Sequence, residues 1–163
     1  MDNDEIKQKI LGKVLMFLAY RVRTRKEVTQ RLDKYLKSEK YVGDAVKEDI
    51  TRQVLDYLEQ NNLINDESFA KLYIESKTKG KSVLGKKAIL VKLMERGISK
   101  NTANLYLNTN ISEEDELNAA VKVLMNKYRT AAETREKMGR FLLSRGFSYP
   151  TAKHAVDYLL KRP

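Results

Sequence analysis

Hydrophobic residues recur along this chain at steps of three and four positions, the spacing that places side chains on one face of an α-helix. Residues 6, 10, 14 and 17 form the first such stripe, and eight further stripes follow, separated by short polar segments. Both prolines lie in the last fourteen residues, and seven glycines are too few for the turns of an all-β fold. The pattern therefore predicts an all-α fold of nine helices.

Polar residues at the predicted helix ends support this division. Thr24 and Glu27 form a capping box, in which each side chain accepts a hydrogen bond from the other residue's backbone N–H. Further N-caps are predicted at Ser82, Ser99, Ser112 and Ser148, and helix ends at Asn61-Asn62, Gly97 and Gly146. The later inner faces are predicted to include Val28, Leu32, Leu36; Ile50, Val54, Leu58; Phe69, Leu72; Ile89, Leu90, Leu93, Met94; Ala103, Leu107; Leu117, Val121, Leu124; Met138, Phe141, Leu142; and Ala152, Ala155, Val156, Leu159.

The second and third sets of three helices superpose without a gap. Residues 96–99 (RGIS) match residues 145–148 (RGFS) at an offset of 49, and the same offset aligns residues 66–67 (DE) with 115–116 (DE). The first set matches more loosely. Because stacked repeats contact only their neighbours, the repetition predicts an elongated rod. The three predicted three-helix repeats comprise residues 1–64, 65–111 and 112–163.

The composition excludes several classes of protein. The chain contains no Cys, which excludes disulfide scaffolds, structural zinc sites and thiol catalysis. Its longest apolar run, residues 14–20, is far shorter than the ~20 residues that a membrane span needs. The first five residues are acidic where a signal peptide would be basic. We therefore expect a soluble, cytoplasmic protein without a membrane segment.

Residues suited to catalysis or cofactor binding are scarce. The single histidine, His154, lies beside an apolar stripe and is interpreted as a surface or boundary residue. Residues 80–82 (GKS) resemble the end of a phosphate-binding loop, but Glu75 stands where that loop requires a glycine. The acidic residues 113–116 are explained by the positive end of a helix dipole. We expect no enzymatic activity, no cofactor and no metal.

The tyrosines divide into two groups. Those on predicted apolar faces are expected in the core rather than as platforms for stacked bases. The others are candidate interface residues. The first group comprises Tyr35, Tyr57, Tyr73, Tyr106 and Tyr158, and the second Tyr20, Tyr41 and Tyr149.

Basic residues exceed acidic ones by 32 to 22, a net charge of +10, and part of this excess is concentrated. Seven Lys or Arg and no acid lie between Ile6 and Lys26, and six more lie between Ser76 and Met94. In both stretches, cations occupy the first turn of the second helix of a repeat. The candidate binding residues are Arg21, Arg23, Arg25, Lys26, Lys86 and Lys87.

Cations at a helix N-terminus are disfavoured by the helix dipole by roughly 0.3–1 kcal/mol each. Their recurrence in successive repeats favours pairing with an external anion, and nucleic-acid phosphates are the leading candidate. The alternative is a solvated basic face that keeps the protein soluble. No helix carries the Asn, Gln and Arg spacing that would indicate recognition of particular bases.

Three segments resemble the RecX family of recombination regulators. Residues 23–28 (RTRKEV), followed by Leu32, are similar to the opening motif of that family. Residues 63–70 (LINDESFA) resemble its most recognisable stretch, and residues 92–98 (KLMERGI) match its second-repeat helix. The resemblance extends over almost the whole chain.

The resemblance implies three tandem three-helix repeats in a curved rod that lodges in the groove of the RecA filament on DNA. It further implies a non-enzymatic regulator of DNA recombination and repair that hinders RecA ATPase and strand exchange. Direct DNA contact without sequence specificity, and a monomeric state, are also expected. A different class of function remains open from the residues alone, namely a general helical nucleic-acid-binding module without a RecA partner.

Overall fold

The computed structural model of the chain describes residues 2–39, 41–80, 82–128 and 134–161. These ranges contain nine α-helices and no β-strand, which confirms the all-α prediction. In chain order the helices are α1 (Asn3–Ala19), α2 (Arg25–Lys37), α3 (Asp44–Gln60), α4 (Asp66–Thr78), α5 (Lys86–Glu95), α6 (Lys100–Asn110), α7 (Glu113–Lys127), α8 (Arg135–Ser144) and α9 (Tyr149–Leu160).

The helices belong to two compact units. The first comprises residues 1–69 and the second residues 70–163, so the division falls inside α4. The repeat boundaries that the sequence predicts after residues 64 and 111, and the rod, stay predictions.

The core of the first unit is built from α1, α2 and α3, which pack on one another. The apolar stripes of the three helices meet there, together with Ile64 from the segment after α3. Leu55 also lies in this core, although no stripe predicted it. The buried residues are Ile6, Ile10, Val14, Val28, Leu32, Leu36, Ile50, Val54, Leu55, Leu58 and Ile64.

The second unit has a core in which α7 packs on α8 and α9, while α5 packs on α6. Val83, from the segment before α5, inserts into the core of the last three helices. This core therefore includes a residue from the segment that joins α4 to α5. Its buried members are Val83, Ala120, Leu124, Met138, Leu142, Phe147, Ala152, Ala155 and Val156.

Most predicted helix ends are confirmed. The Thr24 capping box is formed, and Ser99, Ser112 and Ser148 each accept a hydrogen bond from a backbone N–H in the first turn. Left-handed backbone ends helices at Asn62, Gly97 and Gly146, with φ of 53°, 93° and 83°.

The predicted cap at Ser82 is wrong, because α5 begins three residues later, with Gly85 as its N-cap. Gly85 has no side chain to cap the helix. Its N–H donates instead to the Arg145 carbonyl (3.0 Å), and the N–H of Lys87 donates to the Gly146 carbonyl (3.1 Å). The start of α5 is therefore hydrogen-bonded by the turn between α8 and α9.

Several residues predicted on inner faces are exposed. Tyr57 and Tyr158 are 44% and 52% exposed, and Leu72 and Met94 are exposed as well. Their positions lie at the edge of each stripe, where a tyrosine keeps its hydroxyl in water. The partly buried tyrosines are Tyr35, Tyr73, Tyr106 and Tyr128. Tyr20, Tyr41 and Tyr149 are exposed, as expected for surface residues.

Replacing Gly146 is expected to destabilise the fold. A Cβ at this position would lie 2.4 Å from both the Cβ and the backbone nitrogen of Ala88, and φ is positive. Gly146→Ala should lower the free energy of unfolding by about 2–4 kcal/mol, measured by urea denaturation.

Gly139→Ala is the matched control within the neighbouring helix. A Cβ there meets nothing within 4 Å, so alanine should raise the free energy of unfolding by about 0.5–1 kcal/mol. Equal effects of the two substitutions would contradict the close approach of the α8–α9 turn to α5.

Candidate nucleic-acid interface

The structure confirms that the predicted cations occupy helix starts. Arg25 and Lys26 are the first two residues of α2, and Lys86 and Lys87 are the first two residues of α5. We call these four residues the helix-start cations. The α2 pair belongs to the first unit and the α5 pair to the second, so each is described within its own unit.

Arg21 is engaged inside the first unit. Its guanidinium contacts both carboxylate oxygens of Glu27, at 2.7 and 3.3 Å. The same carboxylate accepts the Thr24 N–H at 3.1 Å, so it completes the capping box of α2 as well. Arg21 therefore stabilises the start of α2 in addition to adding charge there.

Arg23 and Arg25 also have internal contacts. The Arg23 guanidinium lies 4.1 Å from the centre of the Phe17 ring, and its pKa is lowered, first by burial and then by the charge of Arg21. Arg25 Nε donates to Glu59 at 2.9 Å, a pair whose exposure makes it worth little for stability. Lys26, the next residue of the predicted cluster, is exposed in the first turn of α2.

An acidic side chain caps the α2 helix from a distant part of the first unit. The N–H of Arg25 donates to the Asp66 carboxylate at 2.8 Å. Asp66 is the first residue of α4. The negative charge therefore lies at the positive end of the α2 dipole, beside the helix-start cations.

The α5 helix has an equivalent acid within the second unit. The N–H of Lys86 donates to Glu116 at 3.1 Å, and Glu116 is 8% exposed. The neighbouring Asp115 has a lowered pKa, first because of hydrogen bonds from Ser112 and then because of the charges of Lys86 and Lys79. Lys86 is half-buried beside these acids, whereas Lys87 is exposed.

These acids change the interpretation of the helix-start cations. The dipole penalty is offset by Asp66 and Glu116, so cations at these positions do not by themselves require an external anion. The sequence contained part of the signal, because the acidic pairs 66–67 and 115–116 align at the same repeat offset, although Asp66 aligns with Asp115 and not with Glu116. The capping role of these acids could not be predicted, because Asp66 lies 41 positions from Arg25 and Glu116 lies 30 positions from Lys86.

The structure provides no support for a catalytic or metal centre among the residues it describes. His154 is exposed on α9, as the sequence predicts. No group of three or more His, Cys, Asp or Glu in the described ranges is arranged to hold a metal ion. Within the same ranges, every helix is too short or too polar to cross a bilayer.

The chain is similar to curated proteins of one kind. It is 33% identical to "Regulatory protein RecX" of Chlorobium limicola over 123 residues, which cover 75% of this chain and 77% of that protein. It is 35% identical to the protein of the same name from Lactococcus lactis subsp. cremoris over 152 residues. That match covers 89% of this chain but 53% of the relative, so the chain spans about half the length of that relative.

The fold is also similar to solved structures. The crystal structure of RecX from Lactobacillus salivarius superposes with a TM-score of 0.76 at 26% identity, covering 96% of this chain and 97% of that one. A second crystal structure, of "regulatory protein RecX", has a TM-score of 0.74 at 22% identity and bears on the fold alone. No family model matches the chain.

Removing the Glu116 carboxylate is expected to destabilise the second unit. Glu116→Ala leaves the Lys86 N–H without its acceptor, which should lower the free energy of unfolding by about 1–3 kcal/mol in urea denaturation. Glu116→Gln keeps an acceptor oxygen, so its free energy of unfolding should fall less than that of Glu116→Ala. Glu114→Ala, at an exposed position in the same turn, is the control and should stay within about 0.5 kcal/mol of wild type. Equal losses for the two alanine variants would contradict the capping role.

Glu27 predicts a dependence of stability on pH. Burial raises the pKa of its carboxyl, but hydrogen bonds from Arg21 and Thr24 outweigh burial, and the pKa lies below the usual 4.5. A carboxyl with a depressed folded-state pKa stabilises the fold above its unfolded pKa, and this contribution is lost as pH falls through the folded pKa. The free energy of unfolding of Glu27→Gln should therefore lie below that of wild type at about pH 7, with the gap closing below about pH 4.5.

Glu48→Gln, at an exposed position of α3, provides the comparison for charge alone. The free energy of unfolding of Glu48→Gln should lie close to that of wild type both at about pH 7 and below about pH 4.5. A gap for Glu27→Gln that stays constant as pH falls would show that its ion pair with Arg21 is not the source.

Proposed function

Because the chain belongs to the RecX family of regulatory proteins, we propose that it binds the RecA–DNA filament and restrains RecA ATPase and strand exchange. Membership of the family is the observation that carries this proposal. The identity to the Chlorobium limicola protein extends over three quarters of both chains. The proposal includes a role in DNA recombination and repair in the cytoplasm, including the SOS response, as a monomer without a cofactor.

The helix-start cations are proposed to contact DNA phosphates. Arg25, Lys26 and Lys87 are exposed, and Arg25 pairs with Glu59. Lys26 and Lys87 occupy the second position of their helices. Lysines in such positions contact phosphates as point charges and carry no information about base sequence. The net charge of +10 favours the same kind of partner at longer range. Binding through these residues should weaken steeply as salt is added.

A second candidate function is a helical nucleic-acid-binding module without a RecA partner. The concentration of basic charge favours it, because charge alone accounts for DNA binding and requires no protein partner. The two candidates differ in one measurable respect. Only the first predicts an effect on RecA that persists when the DNA is already covered by the filament.

The test measures single-strand-dependent ATP hydrolysis by RecA with this protein added below stoichiometric amounts. Wild type should inhibit hydrolysis. Lys26→Glu/Lys87→Glu should need roughly tenfold more protein for the same inhibition if phosphate contacts contribute. Glutamate in a first helical turn suits the helix dipole, so the variant should fold.

Lys34→Glu/Lys153→Glu is the matched control. It makes the same change in charge at two exposed lysines outside the helix-start cations, and it should inhibit like wild type. Inhibition lost equally in both variants would reject the assigned residues. DNA binding by wild type without any effect on ATP hydrolysis, in either order of addition, would reject the regulator and favour the second candidate.

A further inference from the structure

The second unit contains a basic groove whose lining does not include the helix-start cations, although Lys79 and Lys122 also line the neighbouring cavity that contains Lys86. It is open, has a volume of about 560 Å³, and is bordered by the segment after α4, by the second half of α7 and by α8. Four of its described lining residues are cationic and none is acidic. We call it the α7–α8 groove. It is lined by Lys79, Gly80, Val83, Lys122, Val123, Asn126, Lys127, Phe141 and Arg145.

The cations of the groove have few internal partners. Lys79 pairs with Glu75 at 3.0 Å, one turn back along the chain. For Lys122, Lys127 and Arg145, no carboxylate of the described residues lies within 4.0 Å. This differs from the cluster around α2, where Arg21 and Arg25 both pair with acids. Three of the four groove cations therefore have no ion pair within the part of the chain that the structure describes, whereas Lys79 pairs with Glu75 and its charge acts on Asp115.

The ring of Phe141 contacts two of these cations. The Lys127 ammonium lies 3.9 Å from the centre of the Phe141 ring, and the Arg145 guanidinium lies 5.4 Å from it. The ring is held in place by an edge-to-face contact with Tyr128, with centroids 5.8 Å apart. Both cations therefore contact one ring, which places two positive charges in the same part of the groove.

Lys122 and Asn126 extend the polar lining along α7. They lie one helical turn apart, which is a rise of about 6 Å, and both face the groove. Lys122 is exposed and supplies an ammonium, and Asn126 supplies an amide donor. The groove therefore offers a row of donors along α7 and a second set of cations at its base.

We propose that the α7–α8 groove binds the phosphate groups of a single nucleic-acid strand. This inference rests on the proposed function only in taking nucleic acid as the ligand, and it assigns a different surface. A positively charged groove that follows the nucleic-acid backbone is the arrangement that single-strand-binding proteins use. The volume falls within the roughly 300–1,000 Å³ of pockets that enclose drug-sized ligands. A groove of this size accommodates a nucleotide unit, and the competition with duplex described below tests the preference for a single strand.

The test measures binding of a fluorescently labelled oligothymidylate to the protein without any recombinase, by anisotropy across a series of salt concentrations. Lys122→Gln/Lys127→Gln removes two groove cations. It should weaken binding about tenfold at low salt and reduce the slope of log affinity against log salt by about 1.4, at about 0.7 for each lost contact. Lys34→Gln/Lys100→Gln removes the same charge elsewhere and should leave both quantities near those of wild type.

Two further measurements make the outcome decisive. Lys122→Arg/Lys127→Arg keeps the charges and should restore the affinity, so a loss caused only by altered packing would be recognised. Unlabelled single strand should compete better than a duplex of equal length or than free ATP at the same phosphate concentration. Unchanged affinity in the glutamine variant, equal loss in the control, or equal competition by duplex or ATP would overturn the proposal.

The result is independent of the regulator assignment because no recombinase is present. If the glutamine variant binds the oligonucleotide normally but no longer inhibits RecA, the groove contacts an acidic protein surface and the proposal is wrong. If wild type binds the single strand through the groove yet leaves RecA unaffected, the proposed function fails and this inference stands.

Discussion

A partly buried helix start without a capping side chain needs acceptors from another part of the chain for its first N–H groups, and α5 begins in this way. Gly85 and Lys87 donate to backbone carbonyls of the α8–α9 turn, and Lys86 donates to the buried Glu116. Unpaired N–H groups in this partly buried place would be costly. The second unit thus depends on contact between the start of α5 and residues 30 to 60 positions later, and the glycines allow the two backbones to approach closely.

The helices and most of their ends could be predicted from the sequence because their causes are local. Thr24 and Ser112 cap the helices that follow them, and Gly97 ends α5 through its own backbone conformation. The start of α5 could not be predicted, since its acceptors come from a distant turn. Tyr57 also escaped prediction, because periodicity assigns a residue to a face but does not show how far the neighbouring helix covers that face.

The candidate site was predicted in position but not in environment. The sequence places cations at helix starts, and the structure adds acids that no local pattern connects to them: Glu59 and Asp66 at Arg25, and Glu116 at Lys86. The α7–α8 groove was not predicted at all, because Lys122 and Arg145 are far apart in the chain and each looks like an ordinary surface charge. The sequence shows where basic residues are in excess. Only the folded structure shows which of these cations pair with an acid and which face solvent without one.

The long-range cap of α5 has a consequence for the order in which the protein is made. A chain emerges from the ribosome N-terminus first, at about 5–20 residues per second. All three α1–α3 core faces are complete once residue 64 has emerged, and the Asp66 acceptor for α2 follows two residues later. By contrast, α5 waits for Arg145 and Gly146 before its first N–H groups find their acceptors. The acceptors of the Gly85 and Lys87 N–H groups therefore emerge several seconds after α5 itself, whereas the core residues of the first unit emerge together with α1–α3.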